Sequence, residues 1–237
     1  MVRGATGRAA NEDTIRTMHR FYLALEFVLL FAGVPLALRQ MAPRLPWSLL
    51  PVLWLFTAGC LAWLLCDRGF DRRLLWQAPD LVRWLGLGAA IVVPAGVALA
   101  LATWYFLPGR FLILPRRHPW FWVLIMLLYP ILSVYPQGII YRGFLFQRYA
   151  PLFGRGAVLI LVSGVAFGFM HVVFHNRVAP LLTLAGGLLF AWVYDRSQSL
   201  LIAALIHGAL GCAVFTVGLG QFFFHGTQAL PQRAVRP

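Results

Sequence analysis

The sequence predicts an all-α protein, a polytopic bundle of about seven to eight transmembrane helices. Hydrophobic residues make up 61% of the 237 residues and charged residues only 11%, whereas a soluble domain is about 45–50% apolar and about 25% charged. A hydrocarbon core of about 30 Å needs roughly 20 apolar residues per span. Backbone groups in lipid must bond within their own segment, so the long apolar runs are expected to be helices. They lack the alternation of barrel strands.

Seven apolar runs are the candidate spans. They cover about 18–38, 46–66, 84–106, 119–150, 156–175, 178–194 and 199–224. The fourth run contains Pro130 and Pro136, so it is either one kinked helix or a span followed by a short helix. Without a linker or an internal repeat, residues 18–224 are expected to form one domain, preceded by a polar segment, 1–17, and followed by a tail, 225–237.

The charge is strongly positive, with a formal net charge of +13, and every basic residue apart from histidine is an arginine. These arginines lie mostly at the ends of the apolar runs, which is typical of topology signals and headgroup contacts. We therefore expect membrane lipids as partners and no nucleic acid. The arginine bias favours a cytoplasmic N-terminus, and the polar, arginine-rich start does not resemble a cleaved signal peptide.

Several polar residues fall inside the predicted spans, where ionisable groups are costly and usually functional or paired. They are Glu26, Gln137, Arg142, His171, His175 and His207. Glu26 is the only glutamate in any predicted span, and it is either a functional carboxylate or the partner of a buried arginine. We favour the pairing role, because charges within a membrane usually pair.

The histidines allow more than one interpretation. His171 and His175 are spaced i, i+4 and so would share a helix face, followed directly by Asn176. Such a pair could ligate a metal, but His175 could equally lie at the helix end near headgroups. His207 could simply bond a carbonyl of a neighbouring helix. Counting along antiparallel helices places His171 at a depth similar to that of Gln137.

Small residues predict faces of close helix packing. Gly164 and Gly168 are four residues apart, a spacing that allows two helices to approach closely. Gly208 and Gly211 could have the same role on the last helix.

Three short motifs carry a resemblance to a known family. The segment Tyr135-Pro-Gln-Gly-Ile-Ile-Tyr-Arg-Gly-Phe-Leu-Phe146 resembles the Glu-Glu-x-x-x-Arg motif of the CPBP (Abi) family, the CAAX-type and bacteriocin-processing intramembrane proteases. Phe167-Gly-Phe-Met-His171 resembles the second motif, Phe-x-x-x-His, and His207 with Gly211 resembles part of the third, His-x-x-x-Asn/Asp. The order and spacing agree over a core of about 119–224.

The resemblance implies an intramembrane endopeptidase of a bacterial inner (plasma) membrane, acting on a membrane-anchored or lipidated peptide. The motif positions are Gln137, Gly138, Arg142, His171 and His207. His171 and His207 would polarise water or the scissile carbonyl, with or without a divalent metal such as zinc. The motif departs from the family at three positions, because Gln137 and Gly138 replace both glutamates and Gly211 replaces the Asn/Asp.

The missing carboxylates leave alternatives open. A neutral amide cannot act as a general base near neutral pH, so His175 or Glu26 could substitute, or the protein could be an inactive pseudoprotease that binds membrane partners in a chaperone-like role. Asn176 and Gly211 are further secondary candidates for the site. A haem held between His171 and His207 is a third interpretation.

Overall fold

A computed structural model of the protein describes residues 3–41 and 49–223, with side chains from residue 13 onward. Within those ranges every regular element is helical. The α-helices are α1 (Arg3–Val28), α2 (Val34–Met41), α3 (Leu50–Cys66), α4 (Leu81–Phe106), α5 (Ile113–Arg117), α6 (Pro119–Tyr129), α7 (Tyr135–Gly138), α8 (Leu145–Phe153), α9 (Ala157–Met170), α10 (Val178–Ser197) and α11 (Leu200–Val217).

The helices confirm the predicted architecture of an integral membrane protein. In the part of the chain that the structure describes, six helical segments are long and apolar enough to cross a bilayer: Asp13–Met41, Leu81–Phe106, Pro119–Phe153, Ala157–Phe174, Val178–Ser197 and Leu200–Val217. A shorter apolar helix, α3, corresponds to the second predicted run. The first helix begins earlier than predicted, at Arg3, so residues 3–17 of the predicted polar segment are helical. The predicted tail, 225–237, lies outside the described residues.

The two prolines of the fourth run lie within one continuous helix, Pro119–Phe153, as the first of the two alternatives predicted. Two π-helical stretches interrupt its α-helical geometry, at Pro130–Val134 and Ile139–Phe144. Proline cannot donate its share of the helical hydrogen bonds, and π-turns are a common way to absorb such an interruption. Because a π-turn shifts which side chains share a face, the second stretch determines where Arg142 points.

Side chains of neighbouring helices bond carbonyls in or beside these π stretches. From α3, the Trp54 indole donates to the Leu132 carbonyl at 3.0 Å and the Thr57 hydroxyl donates to the Pro136 carbonyl at 3.4 Å. From α9, the Ser163 hydroxyl donates to the Tyr141 carbonyl at 2.7 Å. In a bilayer core no water can bond such groups, so these contacts hold the irregular helix in place.

Helices α9 and α10 pack with their backbones in close contact, as the glycine spacing predicted. A Cβ atom at Gly164 would lie 2.9 Å from the Leu188 backbone nitrogen, and one at Gly168 would lie 2.9 Å from the Leu184 Cα. On the facing helix, a Cβ at Gly187 would meet the Gly164 carbonyl oxygen at 3.0 Å. Any larger residue would push the two helices apart, and this approach fixes the end of α9, where His171 follows.

Candidate active site

Arg142 lies at the centre of the bundle, with only 1% of its surface exposed. Among the described residues its Nε, Nη1 and Nη2 atoms have no hydrogen-bond partner. The guanidinium carbon lies 4.5 Å from the centre of the Phe167 ring and 5.3 Å from that of Phe190. Cation–π contacts of this kind contribute about 2 kcal/mol when desolvated, which offsets only part of the several kcal/mol that burial of an unpaired ion costs.

His171 directly follows α9 and begins a 3₁₀ turn, His171–Phe174. Its Nδ1 atom lies 2.8 Å from the Phe167 carbonyl oxygen. Because a carbonyl can only accept a hydrogen bond, Nδ1 must carry the hydrogen, and in the neutral ring the lone pair is then on Nε2. The imidazole is therefore fixed in the tautomer and orientation that a proton acceptor needs.

His207 lies on α11 and is likewise buried, at 6% exposure. Its ring stacks on Phe190, with centroids 4.3 Å apart and an interplanar angle of 20°. It also meets the Phe167 ring edge-on at 5.4 Å, while His171 meets the same ring at 4.8 Å. Two imidazoles from separate helices and the Arg142 guanidinium of a third thus converge on one phenyl ring.

Gly138 lies four residues before Arg142, and together with Arg142 and His207 it lines a void too narrow for a water molecule. A Cβ atom at Gly138 would lie 2.9 Å from the Cδ1 atom of Leu200, so Leu200 closes the space that a side chain here would take. Gln137 has a different environment, because its amide donates to the Ser133 hydroxyl at 2.9 Å. Neither motif position supplies a carboxylate.

Tyr129 is a residue of this region that the sequence analysis missed. Its hydroxyl oxygen would lie 2.5 Å from a Cβ atom at Gly211, and its ring lies 6.5 Å from that of His207, nearly perpendicular to it. A phenol therefore occupies the place into which an asparagine or aspartate at position 211 would extend. The contact joins residues distant in sequence, and the only signal was the loss of a side chain at Gly211.

Residues 118–213 match the family model described as type II CAAX prenyl endopeptidase Rce1-like. This segment is Rce1-like. The resemblance to the CAAX-protease family is thereby confirmed over the part of the chain that holds Arg142 and both buried imidazoles. No curated protein and no solved structure matches the chain.

His175 and Asn176 lie apart from the imidazole pair of the Rce1-like region. The predicted helix face shared by His171 and His175 is wrong, because α9 ends at Met170 and His175 adopts a left-handed conformation with φ of 56°. Its Nε2 lies 2.8 Å from the Arg39 carbonyl oxygen. The Asn176 side-chain oxygen accepts from the Ala179 amide at 2.8 Å, and its amide donates to the Phe222 carbonyl at 2.8 Å, which is a capping role at α10.

Glu26 has the pairing role that the sequence analysis favoured. Its two oxygens accept hydrogen bonds from the Arg148 Nε and Nη2 atoms at 2.9 and 2.7 Å, and the Tyr149 hydroxyl donates to the same carboxylate at 2.9 Å. A carboxylate that accepts these hydrogen bonds is poorly suited to replace the base that the motif resemblance implies. It joins α1 to the end of the long helix Pro119–Phe153, which carries Gln137, Gly138 and Arg142 and is called the motif helix below.

The predicted divalent metal fits these residues poorly. A catalytic zinc usually has three protein ligands, and the described residues contain no group of three or more His, Cys, Asp or Glu side chains that could hold a metal ion. Of the described histidines, only His171 and His207 converge. The positively charged guanidinium of Arg142 contacts the same Phe167 ring as the two imidazoles. The same phenyl ring contacts both imidazoles, which leaves little room for a haem between them.

Proposed function

We propose that this protein is an intramembrane endopeptidase that cleaves a membrane-anchored or lipidated peptide. The observation that supports the proposal is the convergence of His171 and His207 on Phe167 within the Rce1-like region. Both rings are buried at membrane depth, where ionisable groups are costly and mark functional sites. Membrane lipids and the anchored peptide are the partners that follow from this location.

His171 is the proposed general base. Its Nε2 lone pair accepts a proton as the water oxygen attacks the scissile carbonyl carbon and forms the new C–O bond. The same nitrogen then returns that proton to the leaving amine as the C–N bond breaks. The hydrogen bond from Nδ1 to the Phe167 carbonyl keeps the ring in this tautomer throughout.

His207 is the proposed electrophile, donating a ring N–H to the oxygen of the tetrahedral intermediate. Stacking on Phe190 already holds this donor in place, so it need not reorganise as negative charge develops on the carbonyl oxygen. Preorganised donors of this kind stabilise the transition state most strongly. Arg142 is assigned the role of anchoring the motif helix against Phe167 and Phe190. The proposed reaction requires no metal, so protein treated with a chelator should retain its activity.

Cleavage by the purified full chain in lipid nanodiscs tests the proposal, with a fluorogenic peptide carrying either an S-alkylated cysteine or an apolar transmembrane anchor. We expect cleavage by the wild type and loss of cleavage in His171→Ala and His207→Ala. His175→Ala is the matched control, because His175 bonds a carbonyl at the end of α2, and it should cleave normally. The proposal fails if neither peptide is cut, or if all three variants behave like the wild type.

A second candidate function is that of a pseudoprotease which binds anchored peptides without cleaving them. The specific observation that favours it is the absence of a carboxylate at Gln137 and Gly138, with Leu200 closing the space beside Gly138. In that case the wild type binds the peptide and leaves it intact. Gly138→Glu combined with Leu200→Ala, which restores the carboxylate and the room for it, should then create cleavage.

The proposed orientation places the protein in a bacterial inner membrane with its N-terminus in the cytoplasm, from the arginine bias of the loops. A fluorescent protein that folds only in the cytoplasm, fused to the N-terminus, tests this. Fluorescence is expected, and a dark but stably expressed fusion would reverse the orientation.

A further inference from the structure

In the described part of the chain, no group around Arg142 carries a negative charge that balances its positive charge. The guanidinium faces the rings of Phe167 and Phe190, and the void on its other side is lined by small or apolar residues and by His207. Arginine cannot lose its proton in a protein, so the cation persists. Its three nitrogens, which carry five N–H donors between them, have no acceptor.

The void lies where an acceptor would have to be. Gly138 is four residues before Arg142, and both residues line this void together with His207. The glycine leaves that position open, and only the terminal Cδ1 of Leu200 approaches it, 2.9 Å from where a Cβ would be. The void as it stands has no room for a water molecule, but one of its walls is the end of the flexible Leu200 side chain, which a rotamer change would withdraw.

We propose that Arg142, Gly138 and His207 form a buried binding site for a small carboxylate anion that is not part of the chain. A planar carboxylate matches the planar guanidinium fork and can accept two parallel hydrogen bonds from it. Gly138 provides the room, Leu200 limits the size of the anion, and the low dielectric of the bundle strengthens the pairing. The carboxylate is either free in solution or the C-terminal carboxylate of a bound peptide. The site does not depend on catalysis.

Thermal unfolding of the purified full chain in detergent tests the site, with sodium formate compared against sodium chloride at equal ionic strength. At about 100 times its dissociation constant, formate should raise the midpoint by about 5 to 10 °C. Acetate should act more weakly than formate and benzoate not at all. Leu200→Ala should extend the response to acetate and larger anions, because it enlarges the void beside Gly138.

Arg142→Gln should abolish the formate response, while Arg148→Gln, which changes an arginine that already has a carboxylate partner, should retain it. Should Arg142→Gln fail to fold, the double variant Gly138→Glu/Leu200→Ala provides an independent test. It supplies its own carboxylate one turn from Arg142, so formate should no longer stabilise it. The proposal is overturned if formate and chloride raise the unfolding midpoint equally, or if formate still stabilises the double variant. It is also overturned if formate stabilises neither the wild type nor Leu200→Ala.

Peptide binding distinguishes the two sources of the carboxylate. The probe is a fluorescent S-alkylated peptide, prepared both as the free acid and as the C-terminal amide. If the peptide supplies the carboxylate, the acid should bind at least tenfold more tightly than the amide, and formate at ten times its dissociation constant should weaken the acid about tenfold. If the anion comes from solution, acid and amide bind alike and formate leaves both unchanged, with the thermal response intact.

Discussion

Arg142 and Arg148 lie six residues apart on the same membrane helix, and they differ in almost every feature of their surroundings. Arg148 makes a two-pronged ion pair with Glu26, and both side chains are nearly one-fifth exposed. Arg142 is fully buried between two phenyl rings and has no acceptor among the described residues. Arg148 thus has both a hydrogen-bond acceptor and a balancing negative charge, whereas Arg142 has neither among the described residues.

The two regions also differ in their packing. Around Arg148, the first helix, α3 and the motif helix leave an open cleft of about 490 Å³ lined by Glu26, Gly59 and Trp63 among others. Around Arg142, the void is narrow and the nearby helices α9 and α10 touch through their backbones. An ion pair tolerates a loosely packed, partly open setting, whereas a site that must orient two imidazoles depends on closely packed helices. The proposed function belongs to the closed region.

The largest expected effect comes from removing the proposed base in the closed region. His171→Ala should lower kcat by about 10²- to 10⁴-fold, since general acid–base groups contribute about that much. Glu26→Gln changes the glutamate that lines the open cleft. Any fall in kcat in this variant should be no larger than its loss of folded protein accounts for. Peptide cleavage rates, normalised to folded protein, measure both. A larger loss of kcat in Glu26→Gln than in His171→Ala would move the active site to the cleft.

Substituting each arginine by methionine should affect stability with opposite signs. Arg148→Met removes the charged partner of Glu26, and stranding one member of a mostly buried pair should cost about 2–3 kcal/mol. Arg142→Met removes an unpaired buried charge at similar volume, so the free energy of unfolding should be unchanged or rise by up to about 2 kcal/mol. Denaturation in chloride without carboxylates measures both, and a greater loss in Arg142→Met would contradict the comparison.

Sequence reasoning predicted the spans, the buried imidazoles and the pairing role of Glu26, because each depends on local composition or on the cost of charge in lipid. It did not predict which arginine pairs with Glu26, since the π stretches at Pro130–Val134 and Ile139–Phe144 reset which side chains share a face. The separation of His175 from His171 depends on a left-handed residue that is not a glycine. The placement of Tyr129 against Gly211 is a long-range contact that no local pattern encodes.

A smaller effect should separate the tight packing of one region from the open packing of the other. Gly164→Ala places a Cβ atom against the Leu188 backbone and side chain, at 2.6 to 2.9 Å, and should cost about 1–3 kcal/mol. Gly59→Ala meets nothing within 4 Å and lies in the helix α3, so it should stabilise by about 0.5–1 kcal/mol through the unfolded chain. Thermal unfolding of the two variants measures the difference, and equal midpoints would contradict it.

The smallest effect concerns Asp67, just after α3, which links that helix to Gln147 of the motif helix, five residues beyond Arg142. The Gln147 amide donates to this carboxylate at 2.8 Å and the Gly69 amide at 2.9 Å, and both bonds hold its pKa below the ordinary carboxyl value. A carboxyl whose pKa is lower in the folded state stabilises the fold above its unfolded pKa, near about 4, and that stability disappears as the pH falls through the folded value. Wild type should therefore lose its small advantage over Asp67→Asn as the pH falls from about 5 to about 3. Because Asp67 is near the surface, the difference should be only a few tenths of a kcal/mol, and a difference that stays constant between about pH 5 and about pH 3 would show that this link carries no charge-dependent stability.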